Sequence, residues 1–127
     1  MNTSTTSDIC VAVESFYSPD ESKIIGKPFF TYKISIKNLS SRTVQLLYRK
    51  WDIVDSFGER REIFGPGVVG EQPVLNPGDE FTYSSGCDFL SGLGRMQGEY
   101  IFREVSTNRT FPVKIPTFIL IQPAILN

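Results

Sequence analysis

The chain has 127 residues, of which 40% are apolar and 21% are charged, so its composition is that of an ordinary globular protein. Thirteen Lys and Arg against 14 Asp and Glu give a net charge of −1, so no global field attracts nucleic acid or an anionic membrane. Histidine is absent, which excludes Ser-His-Asp and Cys-His catalysis and every metal site that uses imidazole.

Cellular location is predicted from the apolar runs. Residues 1–8 are polar and no apolar stretch follows them, so no signal peptide is predicted. The longest apolar run near the other end, Phe118–Ile121, is far short of the roughly 20 residues that span a bilayer. We therefore expect a cytoplasmic protein without membrane insertion, in which Cys10 and Cys87 stay reduced.

The predicted elements begin with a flexible segment over residues 1–8, and a single sandwich domain follows over residues 9–127. Alternation of apolar and polar residues with a period of two predicts a series of strands. These strands lie near residues 9–14, 30–37, 43–54, 60–64, 81–83, 96–105 and 111–115. Because no segment has a helical apolar stripe, the fold class is all-β, a sandwich of about seven or eight strands.

Turns and irregularities of this fold are also predicted. Turn residues cluster at the boundaries of the strands. The clusters are Ser18–Ser22, Asn38–Ser41, Asp55–Glu59, Asn76–Asp79, Asp88–Arg95 and Ser106–Arg109. The apolar residues of 43–54 change parity part-way, which predicts a β-bulge near Leu47 and Tyr48. Pro112 and Pro116 in the last strand mark it as a sheet edge.

The segment Gly65–Pro73 contains Gly-x-Gly-x-x-Gly, the spacing of a dinucleotide-binding fingerprint. That function needs a helix directly after the glycines, and Pro73 and Pro77 prevent one. Gly65, Gly67 and Gly70 are therefore interpreted as places where a loop needs positive φ or close backbone approach. The alternative is an anion nest of backbone N–H groups that binds phosphate, pyrophosphate or a nucleotide. The candidate binding loop comprises Gly65, Gly67, Gly70, Glu71 and Pro73.

Other polar clusters predict less. Carboxylates beside the 55–59 hairpin have the oxygen ligands that Mg²⁺ prefers, but they alternate with basic side chains as on an ordinary surface. They are Asp52, Asp55, Glu59 and Glu62, and no metal site or cofactor is predicted. Arg49 and Trp51 are candidate surface residues for contact with a partner. Packing within the sandwich is nevertheless the better explanation of Trp51, and nucleic-acid binding is not predicted.

Several sequence blocks in a fixed order resemble the bacterial ApaG family, from about Ile9 to the end of the chain. The glycines alone are not specific, but the ordered set is. The blocks are Tyr32–Ser40, Val44–Leu47 with Arg49 and Trp51, Gly65–Pro73, Leu75–Asp79, Tyr83–Gly86, Met96–Tyr100 and Ile115–Phe118. The resemblance implies a fibronectin type III-like, immunoglobulin-like β-sandwich, which agrees with the strand pattern.

The same resemblance implies a function of a particular kind. ApaG proteins are associated with cobalt resistance and magnesium efflux, and related domains in eukaryotic F-box and polymerase-partner proteins look like protein-interaction modules. It implies no enzymatic activity. Without histidine, a direct Co²⁺ site is not expected, so an effect on metal flux would be indirect. We therefore expect a non-enzymatic module that binds another protein, with a weak homodimer left open as an alternative.

Overall fold

The computed structural model of the protein describes residues 1–123, and residues 124–127 of the predicted domain lie outside them. Within this range nine strands form two antiparallel sheets, which confirms the all-β sandwich. The elements are β1 (Asn2–Thr6), β2 (Ile9–Tyr17), α1 (Pro19–Ile25), β3 (Phe29–Asn38), β4 (Val44–Asp55), β5 (Arg60–Pro66), β6 (Val74–Leu75), β7 (Glu80–Asp88), β8 (Leu93–Glu104) and β9 (Thr110–Ile121).

One sheet has four strands in the order β1-β2-β3-β7, and the other has the order β5-β4-β8-β9 with β6 also paired to β4. The alternating apolar residues of each strand point into the space between the sheets, as the period of two predicts. Tyr32, Trp51 and Phe118 pack there ring against ring, with centroids 5.7–6.0 Å apart. The resulting core is continuous across both sheets.

Two bulges interrupt the five-stranded sheet. The register between β4 and β8 shifts between Leu46 and Tyr48, which confirms the bulge that the parity change predicts. A second shift lies between Met96 and Gly98 in the pairing of β8 with β9. Both bulges increase the local twist of the sheet. The proline-containing strand β9 is at the edge of the sheet, as expected.

The segment predicted as a turn at Ser18–Ser22 is instead the start of helix α1. Ser18 precedes it, Pro19 occupies its first turn, and Gly26 ends it in the left-handed conformation with φ 77°. The prediction of a turn was therefore wrong. The sequence does not indicate this helix because its seven residues are too few to display a periodic apolar stripe. Within residues 1–123, no helix is long and apolar enough to cross a membrane.

The first residues differ from the expectation of a flexible segment over residues 1–8. Asn2–Thr6 form β1, which pairs with β2 through a two-residue turn in which Ser7 and Asp8 both have positive φ. The side chains of Asn2 and Ser4 donate hydrogen bonds to backbone carbonyls of β9, at 2.7 Å each. The strand therefore links the edges of the two sheets, a contact that composition alone does not reveal.

Candidate functional site

The Gly65–Pro73 segment begins inside a sheet and ends in a loop. Gly65 and Pro66 are the last residues of β5, where they pair with Arg49 and Tyr48 of β4. The chain then leaves the sheet and returns to β4 through β6. The element after the glycines is β6 and not a helix, in agreement with the prediction from the two prolines. The segment is therefore a connection between two strands that both pair with β4.

The tip of this loop is a tight turn. Val68 and Glu71 exchange backbone hydrogen bonds of 2.8 and 2.9 Å, and the two residues between them, Val69 and Gly70, have φ of 43° and 80°. Positive φ at both central positions is the pattern of a type I′ turn. A β-branched residue is rare in that conformation, so Val69 is held under backbone strain. Its side chain is 57% exposed.

The loop is fastened to the bulge in β4. The carbonyl of Leu47 accepts the backbone N–H of Gly67 at 2.8 Å and the side-chain amide of Gln72 at 2.8 Å. The backbone N–H of Leu46 donates to the carbonyl of Pro73 at 3.1 Å. A bulge frees a backbone carbonyl from the regular ladder, and here that carbonyl anchors both ends of the loop. Because both ends are anchored, we expect the loop to be rigid.

Arg49 braces the loop from the inner side. Its Nη1 donates to the carbonyls of Pro66 and Gly67 at 2.9 and 3.0 Å. A Cβ at Gly65 would lie 3.1 Å from the same Nη1, and one at Gly67 would lie 2.1 Å from the backbone oxygen of Glu71. Gly65 is therefore favoured because the Arg49 side chain lies close to the position of a Cβ. Gly67 is required both by the close Glu71 carbonyl and by its φ of 60°. Gly70 is favoured by its positive φ alone.

These contacts leave few hydrogen-bond donors in the loop for binding an anion. Of the five backbone N–H groups from Gly67 to Glu71, those of Gly67, Val68 and Glu71 already donate to carbonyls. The Arg49 guanidinium beside the loop is directed at the carbonyls of Pro66 and Gly67. Glu71 adds a carboxylate on the exposed side. A phosphate group bound here would meet few free donors and an adjacent negative charge.

The other candidate contact residue, Trp51, is only 5% exposed and belongs to the core. Its packing against Tyr32 and Phe118 agrees with the interpretation of a buried ring. The exposed aromatic rings of this region are instead Tyr48 and Phe64, which stack with their centroids 5.4 Å apart. The sequence gives a signal for them, because Tyr48 and Phe64 have the outward parity of their strands.

The carboxylates near the 55–59 hairpin are separated by the structure. Asp52 pairs with Arg60 at 2.7 Å, and Arg60 also lies 3.2 Å from Glu62. The Arg60 hydrogen bond holds the pKa of Asp52 below its usual value. Among the described residues, no group of three or more carboxylate or thiol side chains could hold a metal ion. These residues form an ordinary charged surface.

Asp55 has a separate, structural role. Burial raises the pKa of its carboxyl, but hydrogen bonds from the backbone N–H groups of Phe57, Ser91 and Leu90 outweigh burial and lower the pKa. Both oxygens take part, with distances of 2.9 Å to Phe57 and 2.7 Å to Leu90. The side chain therefore joins the β4–β5 hairpin to the 89–92 loop.

Cys87 is buried, as expected of a small apolar residue, and both it and Cys10 are free thiols. Burial raises the pKa of the Cys87 thiol, although the Arg61 guanidinium 3.2 Å from its sulfur opposes this. The thiol is therefore protonated at neutral pH and is a poor nucleophile. Arg61 mainly serves to tie β5 to Asp88 at the end of β7.

The comparisons with known proteins agree with the fold and with the family that the sequence blocks indicate. The sequence profile of the ApaG domain matches residues 19–104. The chain belongs to the ApaG family. The ApaG protein of Paramagnetospirillum magneticum is 44% identical over 124 residues, which cover 97% of this chain and 95% of that one. The ApaG protein of Pectobacterium carotovorum is 40% identical, with 94% and 95% covered.

A solved structure supports the same family. The crystal structure of a Bordetella pertussis protein described as ApaA superposes with a TM-score of 0.85 at 36% identity. The match covers 91% of this chain and 94% of that one. The sandwich and the glycine loop described above are therefore features of an ApaG-family chain whose length is close to that of its relatives.

Sequence reasoning found the loop but missed the atoms that hold it. Leu47, Arg49 and Gln72 determine its shape through contacts between residues that are 17 to 25 positions apart. The turn conformation of Val69 was also missed, because valine is unusual in a type I′ turn. Only Gly70 indicates the turn in the sequence, because glycine is common at the second central position of a type I′ turn.

Proposed function

We propose that this protein is a non-enzymatic binding module and that the Gly65–Pro73 loop, with the adjacent β5 edge, contacts another protein. The proposal rests on the conformation and exposure of Val69. Its apolar side chain is exposed at the tip of an anchored turn, and its backbone is held in a strained conformation. Backbone strain of this kind is concentrated at functional sites, so it supports a role for the Val69 side chain. An ordered loop also loses little conformational entropy when it binds.

The chemistry of the surrounding surface supports a protein partner. Val69 is an exposed apolar group, and the buried centre of a protein interface is more apolar than the rest of the surface. The β5 edge adds backbone groups that could extend a partner strand. Each of these features favours protein contact over the recognition of a small polar molecule.

The association of the ApaG family with cobalt resistance and magnesium efflux fits this proposal as an indirect effect. The lack of histidine and the scattered carboxylates disfavour direct metal binding. A partner that itself transports or senses the metal would be the direct agent. We therefore propose a cytoplasmic protein that affects metal flux by binding such a partner.

Affinity capture from the native cytosol tests the loop as the contact. Wild-type protein is compared with Val69→Asp and Gly67→Arg, and with Ile24→Asp as a matched control on the exposed face of α1. We expect proteins that the wild type and Ile24→Asp recover and that both loop variants lose. A thermal melt confirms that each variant is folded. Recovery of the same proteins by all four chains would refute the proposal.

Binding of phosphate, pyrophosphate or a nucleotide is the alternative function. The paired N–H groups and Glu71 disfavour it, as described above. Isothermal titration with pyrophosphate and ATP, with and without Mg²⁺, distinguishes the two proposals. The interaction proposal expects no heat of binding at millimolar ligand. A saturable heat that Gly67→Arg abolishes would instead favour the anion nest.

A further inference from the structure

The outer face of the five-stranded sheet has an ordered pattern of side chains that the loop proposal does not use. Residues that pair across neighbouring strands point to the same side, so the register defines rows across β5, β4, β8 and β9. The first, which we call the apolar row, crosses all four strands. It consists of Pro66, Tyr48, Ile101 and Pro112.

Three further rows lie beside the apolar row. The alternating row follows directly and has an aromatic ring and then charges of alternating sign: Phe64, Lys50, Glu99 and Lys114. The next is the acidic row: Glu62, Asp52, Gln97 and Thr117, whose last two members share a hydrogen bond. The last is the arginine row: Arg60, Val54, Arg95 and Ile119.

We propose that this face binds a second copy of the same chain in a two-fold symmetric dimer. The axis runs parallel to the strands, between β4 and β8. Such an axis exchanges β4 with β8 and β5 with β9, so each row faces itself in reverse order. The rows of this chain are complementary under that operation.

Within the apolar row, the operation places Tyr48 against the second copy's Ile101, and Pro66 against its Pro112. Within the alternating row, it places Lys50 against Glu99, and the Phe64 ring against the Lys114 ammonium, which is a favourable cation–π pair. Every contact is made twice because the axis is two-fold. Apolar groups therefore meet apolar groups, and opposite charges meet each other.

The two remaining rows obey the same rule. Asp52 faces Gln97, a hydrogen-bonding partner, and Glu62 faces Thr117. In the arginine row, Val54 faces Arg95, whose aliphatic stem can pack on it. No pair of like charges is opposed in any of the four rows. Self-complementarity of this kind is what an isologous interface requires.

Another two-fold axis, perpendicular to the strands, fits less well. If it passed between the alternating and acidic rows, the apolar row would lie on the arginine row. Tyr48 would then face Val54 and Pro112 would face Ile119, but Ile101 would face Arg95 and Pro66 would face Arg60. The two axes differ most at Phe64. Its ring would face the Glu62 carboxylate instead of the Lys114 ammonium, and the negative face of an aromatic ring repels an anion. The axis along the strands is therefore favoured.

The size of the face suits a weak dimer rather than a permanent one. The parts of the four strands that carry the rows are residues 48–54, 60–66, 95–101 and 112–119. At about 3.3 Å per residue and about 4.8 Å between strands they cover roughly 450 Å². Stable interfaces bury about 800 Å² on each partner. A depression of about 780 Å³ lies between Phe64 and Lys114. The two-fold axis brings the exposed Phe64 ring to the Lys114 side of the second copy's depression.

Sedimentation velocity over a range of protein concentrations tests the dimer. We expect the wild type to be a dimer with a dissociation constant on the order of micromolar. Lys50→Glu and Glu99→Lys should each weaken it about tenfold or more. Each places like charges together twice across the interface, and once within each chain, where Lys50 and Glu99 lie 3.6 Å apart. The double variant Lys50→Glu with Glu99→Lys should restore dimerisation. Lys33→Glu, an exposed lysine on the other sheet, is the matched control and should have no effect.

The same measurement contains the outcomes that overturn the proposal. The proposal is overturned if the wild-type protein is still a monomer at millimolar concentration. It is also overturned if Lys50→Glu and Glu99→Lys dimerise with the same affinity as the control Lys33→Glu. Tyr48→Glu provides a second probe of the interface that does not alter the Lys50–Glu99 pair. Val69→Asp lies outside the four rows and should leave the dimer intact, so failure of the dimer and failure of the loop proposal are distinguishable.

Discussion

Gly67 and Gly70 have similar positive φ but different surroundings. A Cβ at Gly67 would lie 2.1 Å from the backbone oxygen of Glu71, whereas a Cβ at Gly70 would have open space around it. We expect Gly70→Ala to lower the free energy of unfolding by about 1–2 kcal/mol, the cost of the left-handed conformation. Gly67→Ala should cost more, roughly 2–4 kcal/mol, because the backbone must also move.

Urea denaturation of the wild type and the two alanine variants measures this difference. The pair is matched because the same atom is added to the same loop. Equal free energies for the two variants would show that the Glu71 carbonyl moves easily, and the description of the loop as rigid would then fail.

Asp55 predicts a dependence of stability on pH. Its folded-state pKa is lower than the unfolded value, so its stabilising contribution is present above pH of about 4 and is lost as pH falls through the folded value. At neutral pH, Asp55→Asn should lower the free energy of unfolding by about 1–3 kcal/mol, because the amide cannot accept all three backbone N–H groups.

Denaturation at several pH values checks the sign. The difference between wild type and Asp55→Asn should shrink as the solution is acidified below about pH 4. Glu59→Gln, an exposed carboxylate of the same hairpin, serves as the control. A difference that stays constant from neutral to acidic pH would mean that the ionised Asp55 carboxylate is not what joins the hairpin to the 89–92 loop.

At the scale of the elements, a substitution in the type I′ turn is expected to affect stability and partner binding in opposite directions. Asparagine tolerates the left-handed conformation and Asn-Gly is a preferred type I′ sequence, whereas valine is disfavoured there. Val69→Asn should therefore raise the free energy of unfolding by roughly 0.5–1 kcal/mol. The same change removes the exposed apolar group, so it should weaken binding to the partner.

Thermal melts and affinity capture of Val69→Asn test both consequences. A variant that is more stable and binds less would be the expected compromise between stability and activity. If Val69→Asn were less stable than the wild type, the strain assigned to Val69 would be wrong. The variant Val74→Asn changes an exposed valine of normal φ nearby and should not be stabilised.

The elements also show how far the sequence predicts the structure. Strands with a period of two, such as β3, and the bulge in β4 are readable because apolar parity reports which face is buried. Helix α1 is too short to show periodicity, and β1 is polar on both faces, so neither has an apolar signal. Their positions depend on contacts with distant strands.

The candidate site likewise has features that the sequence predicts and features that depend on distant contacts. The glycine spacing predicted the loop and the need for unusual backbone geometry. The reasons for Gly65 and Gly67 lie in Arg49 and in the Glu71 carbonyl, and the anchor is the Leu47 carbonyl. Pairing between strands brings these atoms together, and the local sequence does not specify that pairing. The rows on the outer face likewise need the register of four strands.

For the whole molecule, the role of β1 can be tested by deletion of residues 1–7. The deletion removes the side-chain hydrogen bonds to the β9 carbonyls and leaves both β2 and β9 as open edges. We expect the free energy of unfolding to fall by roughly 1–3 kcal/mol and aggregation to increase. Unchanged stability and solubility would instead support the original expectation of a flexible segment.

The dimer and the loop would act together in the whole molecule. Two copies related by an axis along β4 and β8 would each present a Gly65–Pro73 loop. A partner with two matching sites would then bind with higher apparent affinity than one loop provides. The protein would thus function as a two-sided adaptor, with the sheet face for self-association and the loops for recognition.

Photo-crosslinking in the native cell tests the central claim, that the loop tip contacts another protein, most directly. A photoreactive amino acid replaces Val69 in one strain and Ile24, on the exposed face of α1, in another. The account predicts discrete crosslinked protein adducts at position 69 that are absent at position 24. No protein adduct at position 69, or the same adducts at both positions, would contradict it.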